Sequence, residues 1–172
     1  MSAIILETER LILREFVAED VDALSKILSD PVTMRFYPAP LKRNQVEEWI
    51  ARNQKRYQED GYGLWAMLLK LTGELMGDCG LTRQIVEGAA EIEIGYHVRR
   101  DFWGCGYAPE AAAAGRDWGF KSLEGAHLIS LIRLGNVPSR RVAEKVGMML
   151  WKNVLWREIE HWVMKIDRPS AG

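Results

Sequence analysis

Apolar residues recur at two different spacings along this chain, and the spacings mark out its elements. Strand-like alternation runs through "RLILREF" (10–16). The spacing turns helical at Val21, Leu24, Ile27 and Leu28, which predicts a helix over 18–30 that Pro31 follows. A second helix is predicted over 44–61 from Val46, Trp49, Ile50 and Tyr57, with Asn44 as its N-cap and Gly61 as its stop. "LWAMLLKL" (64–71) and "LMGDCGLT" (75–82), joined by "TGE", read as a β-hairpin, and "AEIEIGYHV" (90–98) as a strand. A helix follows from about Ala108 to Lys121, then a buried strand over "HLISLIRL" (127–134). A short helix over 138–147 starts at Pro138 and stops at Gly147, and 149–166 supplies two closing strands. The order is strand, two helices, a meander of strands, helix, strand, helix, strand, strand. That is an α/β (α+β) sandwich with a partly antiparallel sheet. It lacks the regular alternation of a doubly wound dinucleotide fold.

Composition narrows the class without choosing a chemistry. The 172 residues suit one domain spanning 1–172, and 48% hydrophobic with 27% charged residues is ordinary for a globular chain. A formal net charge of -1 gives no general pull toward nucleic acid or anionic membranes. The segment "MSAIILETERLILREF" has no basic leader region, and acidic residues interrupt its apolar stretch, so a cytoplasmic protein is expected. Cys79 and Cys105 are too few for a disulfide framework. His97, His127 and His161 show no metal-ligand spacing with each other or with the cysteines, so no metal site is expected. A monomer or a homodimer is compatible with all of this.

The stretch "RRDFWGCGYAPEAAAAG" (99–115) carries the strongest chemical signal. A helix start leaves backbone N–H groups unpaired and carries partial positive charge. Gly104, Gly106 and Ala108 let a ligand approach that backbone closely, while Pro109 suits the first helical turn. Ala111 to Ala114 keep the helix flank thin, and Arg99 and Arg100 add positive charge beside the turn. Together these describe a phosphate cradle. A Walker loop would need Gly-Lys-Ser/Thr, and a Rossmann fingerprint would need a glycine where Pro109 stands. An ordinary helix-start turn is the alternative reading of the same residues.

The segments "LETERLILREF", "TGELMGDCGL", "EIEIGYHVRRDFWGCGYAPEAAAA" and "NVPSRRVAEKVGM" together resemble the GNAT acyltransferase superfamily, and within it the ribosomal-protein N-terminal acetyltransferase branch. The resemblance implies a mixed, mostly antiparallel sheet, flanked by helices and splayed between its two central strands. It also implies acetyl-CoA as co-substrate. The superfamily pattern Gln/Arg-x-x-Gly-x-Gly/Ala appears here as Trp103-Gly104-Cys105-Gly106-Tyr107-Ala108, with Trp103 as a departure. By that resemblance Gly104, Cys105, Gly106, Tyr107, Ala108 and Pro109 surround the pyrophosphate. Tyr96, His97 and Val98 end the splayed strand and face the pantetheine amides, and Asn136 contacts the same arm. Arg140 and Arg141 stand near the cofactor phosphates or are solvated helix residues.

Acetyl transfer to an amine needs a proton acceptor, hydrogen-bond donors for the developing oxyanion, and a proton for the departing thiolate if one is required. Alternation along 90–98 puts Glu91, Glu93 and His97 on one face, with Ile92, Ile94 and Tyr96 on the other. Glu93 is the favoured base and Glu91 the second; His97 titrates in the useful range but is equally readable as structural. Many relatives place a tyrosine acid where this chain has Ala143. Ser139 is the substitute acid, with helix capping as its bland reading, and Tyr107 is a weaker choice. Trp49, Trp65, Trp156 and Trp162 read as core before pocket or dimer surface. The acceptor is a primary amine, with a protein N-terminus ahead of a small molecule such as an amino acid, polyamine or aminoglycoside. Its contacts are expected around "RFYPAPLKR" (35–43) and on the C-terminal strands. The net charge disfavours a polycationic acceptor unless acidic residues cluster in the cleft. Two rivals remain: a non-catalytic acyl-CoA sensor, and a nucleotide-binding protein that shares the turn.

Overall fold

The computed structural model describes residues 2–171. Among the described residues, eight strands form one sheet: β1 (Ile4–Glu7), β2 (Leu11–Arg14), β3 (Leu64–Leu69), β4 (Leu75–Val86), β5 (Ala89–Val98), β6 (His127–Arg133), β7 (Met149–Trp156) and β8 (Ile159–Asp167). Their order across the sheet is β1-β2-β3-β4-β5-β6-β8-β7. Helices α1 (Val21–Leu28) and α2 (Arg43–Glu59) precede β3, α3 (Tyr107–Ser122) joins β5 to β6, and α4 (Val137–Lys145) joins β6 to β7. Among the described residues, no helix is long and apolar enough to cross a membrane.

Alternation along the strands assigns the two faces. Trp65 and Met67 of β3 join Cys79, Leu81 and Ile94 in a core closed by Ala111 and Ala112 of α3. Leu64 and Ala66 of the same strand turn the other way, onto Leu24, Ile27 and Leu28 of α1 and Val46 and Ile50 of α2. The small residues of α3 let it lie close on the sheet. A Cβ at Gly119 would come within 3.0 Å of Leu81 Cδ1 and 3.3 Å of Leu128 Cδ1.

Every neighbouring pair of strands is antiparallel except β5 and β6. These two run parallel, and their register holds at a single pair, Glu93 with Ile129. Beyond it, side chains replace the ladder: Ser130 Oγ donates to Ile94 O (2.8 Å), and Leu131 N donates to Glu93 Oε2 (3.0 Å). This is the splay that the resemblance implies, and it opens at the C-terminal end of β5.

Two local expectations are corrected. Strand β1 was not foreseen, because "IILE" is too short to show a period; it pairs with β2, and Ile4 remains 58% exposed. Asn44 lies inside α2 and does not cap it. The extended residue before the helix is Lys42, whose N–H donates to Gln45 Oε1 (2.7 Å).

Candidate active site

The glycine turn sits at the splay. Gly104 and Gly106 have φ of +76° and +81°, a conformation that strains any residue with a Cβ, and Gly106 is the N-cap of α3. Three neighbours hold the turn. Trp103 Nε1 donates to Val98 O (2.7 Å), so this tryptophan pins the turn to the end of β5. Arg10 Nη1 donates to Cys105 O (2.9 Å). Glu110, in the first turn of α3, accepts from Thr8 Oγ1 (2.6 Å), Arg10 N (3.0 Å) and Arg10 Nε (2.7 Å). The β1–β2 turn is therefore clamped to the helix start.

A cavity of about 370 Å³ opens over this turn. Tyr96, His97, Val98, Gly104, Gly106, Tyr107, Ala108, Pro109 and Asn136 all line it, joined by Arg141 and Lys145 of α4. Cys105 is not in its lining: the residue is exposed and offers its carbonyl to Arg10 instead. Arg140 turns from the cavity to Glu144 (3.0 Å) and the Trp162 ring. Asn136 Oδ1 accepts from Ser139 N (3.2 Å), so Asn136 caps α4 and leaves the Ser139 hydroxyl free of that duty.

A second cavity, of about 290 Å³, adjoins the first. Phe36, Tyr37, Tyr96, His97, Asn136 and Ser139 line both. Glu93 faces the second one, its carboxylate held by Leu131 N (3.0 Å) and Gln84 Nε2 (3.2 Å). Burial pushes the Glu93 carboxyl above its ordinary value, more than these bonds lower it. Glu91 is elsewhere: it bonds His127 Nε2 (2.6 Å) and lines a separate cavity beside Asp60 and Tyr62. Ser139 Oγ donates to the Tyr96 hydroxyl (3.2 Å), which itself donates to Ser139 O (2.7 Å).

His97 closes the junction of the two cavities. Its Nδ1 is 2.7 Å from Asp78 Oδ1, and Trp49 Nε1 donates to Asp78 Oδ2 (3.2 Å). Its Nε2 is buried and has no hydrogen-bond partner among the described residues. Burial disfavours the charged imidazole, but Asp78 outweighs it and holds the pKa above the ordinary value. Asp78 went unnoticed in the sequence because only the β4–β5 register sets it opposite His97. Trp65 is core, as expected of it. Trp49 and Trp156, also read as core, line the second cavity, together with Phe36, Tyr37 and Pro38 of the 35–43 segment and Arg157, Ile159 and His161 near the C-terminus.

Known proteins share this fold. A family model described as an acetyltransferase (GNAT) domain matches residues 10–149. The chain is 39% identical over 150 residues to YkkB, a protein of Bacillus subtilis (strain 168) described as uncharacterized, covering 87% of each chain. A solved acetyltransferase from Agrobacterium tumefaciens str. C58 shares the fold with a TM-score of 0.84 and 28% identity, covering 96% of this chain and 95% of that one. RimL, a ribosomal L7/L12 α-N-protein acetyltransferase, has a TM-score of 0.77 at 18% identity, covering 98% and 94%, a likeness of fold.

Proposed function

The chain belongs to the GNAT acetyltransferase family, and we propose that it carries an acetyl group from acetyl-CoA to a primary amine by direct attack in a ternary complex. The observation that carries this reading is the meeting of the two cavities at the end of β5, with the glycine turn in one and Glu93 in the other. The backbone N–H groups at the start of α3 receive the pyrophosphate, and Arg141 and Lys145 add charge beside it. Tyr96, His97 and Val98 run along the pantetheine arm on one side of the splay, and Asn136 lies across from them.

Glu93 takes the proton from the attacking amine. The amine nitrogen forms its bond to the thioester carbon, and the C–S bond breaks. The thiolate leaves with the proton supplied by the Ser139 hydroxyl, which is recharged from solvent. Burial keeps the Tyr96 hydroxyl protonated, so it remains the donor to Ser139 O and the acceptor that orients the Ser139 hydroxyl. A raised Glu93 pKa makes that carboxylate a stronger base than an exposed one. The reading uses no metal and treats the chain as one cytoplasmic acetyltransferase domain. A protein N-terminus is the favoured acceptor, supported by the resemblance to the ribosomal-protein branch and by the fold shared with RimL. A small-molecule amine is the second reading.

Glu93→Gln tests this against the sensor reading. The variant should bind acetyl-CoA like wild type in calorimetry and lose about 10²–10⁴-fold in turnover over a panel of amines. Unchanged turnover would remove Glu93 from the mechanism. Absence of turnover in wild type, with acetyl-CoA still bound, would leave a sensor.

A further inference from the structure

Positive side chains predominate in the second cavity. Arg52 and Arg56 of α2, Arg133 at the end of β6 and Arg157 in the β7–β8 turn all line it, and Glu93 is the carboxylate among its lining residues. None of the four guanidiniums has a carboxylate within ion-pair distance among the described residues. What partners they have are neutral. Arg56 Nη1 reaches Asn53 Oδ1 (3.2 Å), Arg133 Nη1 reaches Phe36 O (3.2 Å), and Arg157 lies 4.2 Å over the Trp156 ring. The crowding is felt locally. Burial and then Arg52 hold the Arg56 pKa below its ordinary value, outweighing Asp60 and Glu93, and Arg157 adds a smaller push in the same direction. Burial lowers His161 as well, and Arg133 and Arg157 add to it.

This concentration is not a property of the whole surface, since the chain carries a formal net charge of -1. Gathering like charges around a concave, half-enclosed space is unfavourable unless an anion joins them. Guanidinium groups suit carboxylates in particular, because their planar donor pairs match both oxygens. The same positive field lowers the pKa of an amine held beside Glu93, so more of it is in the neutral form that attacks.

We propose that the acceptor is a primary amine flanked by carboxylates, and that Arg52, Arg56, Arg133 and Arg157 receive those carboxylates while Glu93 faces the amine. The inference rests on the acetyl-transfer reading and sharpens it. A peptide N-terminus with acidic residues close behind it, and a free acidic amino acid, both offer this chemistry. Polyamines and aminoglycosides do not.

The test compares a tetrapeptide of serine followed by three acidic residues with its lysine counterpart, alongside free aspartate, free glutamate and spermidine. CoA thiol release gives turnover, and calorimetry with CoA present gives acceptor binding independently of chemistry. The acidic peptide should exceed the basic one by about tenfold or more in kcat/KM and in affinity, the size of one charge-assisted contact. That gap should narrow at high salt. Arg157→Gln should shrink the ratio and Arg157→Glu should shrink it further; Arg157 is exposed, so neither change threatens the fold. Turnover of free aspartate or glutamate at the peptide's level would mark the source as a free amino acid, and the reverse would mark a peptide. Equal or better binding and turnover of the basic peptide or spermidine would overturn the proposal while leaving acetyl transfer standing. Acidic-peptide binding without turnover of any amine would keep the anion site and overturn acetyl transfer instead.

Discussion

Removing the Glu110 carboxylate should loosen the start of α3 and, through it, the glycine turn. The carboxylate accepts three hydrogen bonds, from Thr8 Oγ1, Arg10 N and Arg10 Nε, at 2.6, 3.0 and 2.7 Å. A bond to a charged group is worth about 1.5–3 kcal/mol. The three are not additive, and Arg10 is 40% exposed against 20% for Glu110, so its ion pair is partly screened. Glu110→Ala should therefore cost about 3 kcal/mol, or roughly 6–12 °C in Tm for a chain of this size. Glu110→Gln keeps an acceptor for Thr8 and the Arg10 amide, and should cost only about 1 kcal/mol.

The pH dependence separates this clamp from a packing effect. Burial alone would raise the Glu110 pKa, but the Thr8 and Arg10 bonds more than offset it and hold it below the ordinary 4.5. The folded state thus favours the ionised form. Its contribution is fully present above about pH 4.5 and is lost as the pH falls through the depressed folded value. Urea melts of wild type and Glu110→Gln at a series of pH values should show a gap that is full at pH 6 and closes on acidification. A gap of constant size across that range would refute the electrostatic argument. Acetyl-CoA binding should also weaken in Glu110→Ala, because Arg10 loses its anchor and with it the hold on Cys105 O.

Three further outcomes follow from the site. Ser139→Ala should fold normally, since Asn136 caps α4, and should lower kcat about 10²-fold if thiolate protonation limits the rate; a pre-steady-state burst of product would show that release limits it instead. Gly106→Ala should cost about 1–2 kcal/mol in thermal melts, because its φ of +81° is left-handed, and should raise the acetyl-CoA Kd measured by calorimetry. Asp78→Asn should remove a pH-dependent contribution: the raised His97 pKa stabilises the fold below pH 6.5, and that stability fades as the pH rises through the folded value. Wild type and variant should differ more at pH 6 than at pH 9 in thermal melts.

What the chain discloses in one dimension divides by the range of the contact. The turn before α3 was readable because its chemistry is local: two glycines with positive φ, then Pro109 in the first turn. The alternation along β5 was readable for the same reason, and it separated Glu93 from Ile94 correctly. Within one turn of helix, the reading already missed. The extended residue that starts α2 is Lys42 and not Asn44, and the Gln45 side chain accepts its N–H. Trp103 stood out as a departure from a pattern, and its purpose shows only when its indole reaches Val98 O across the turn.

Contacts set by the sheet were out of reach. Asp78 meets His97 because the β4–β5 register places them opposite each other. Glu110 meets Thr8 and Arg10 across about a hundred residues because β1, unseen in the sequence, turns the chain back over α3. The four arginines come from α2, β6 and the β7–β8 turn, and each alone looks like an ordinary surface charge. Net charge suggested only that a polycationic acceptor was disfavoured unless acids lined the cleft. The fold answers that condition in the opposite sense, by gathering positive charge around the cavity proposed for the amine. The glycine turn proposed to hold the acetyl donor is built from sequence neighbours and so can be read along the chain. The four arginines proposed to receive the acceptor come from three distant segments, which leaves each free to change its charge without disturbing that turn.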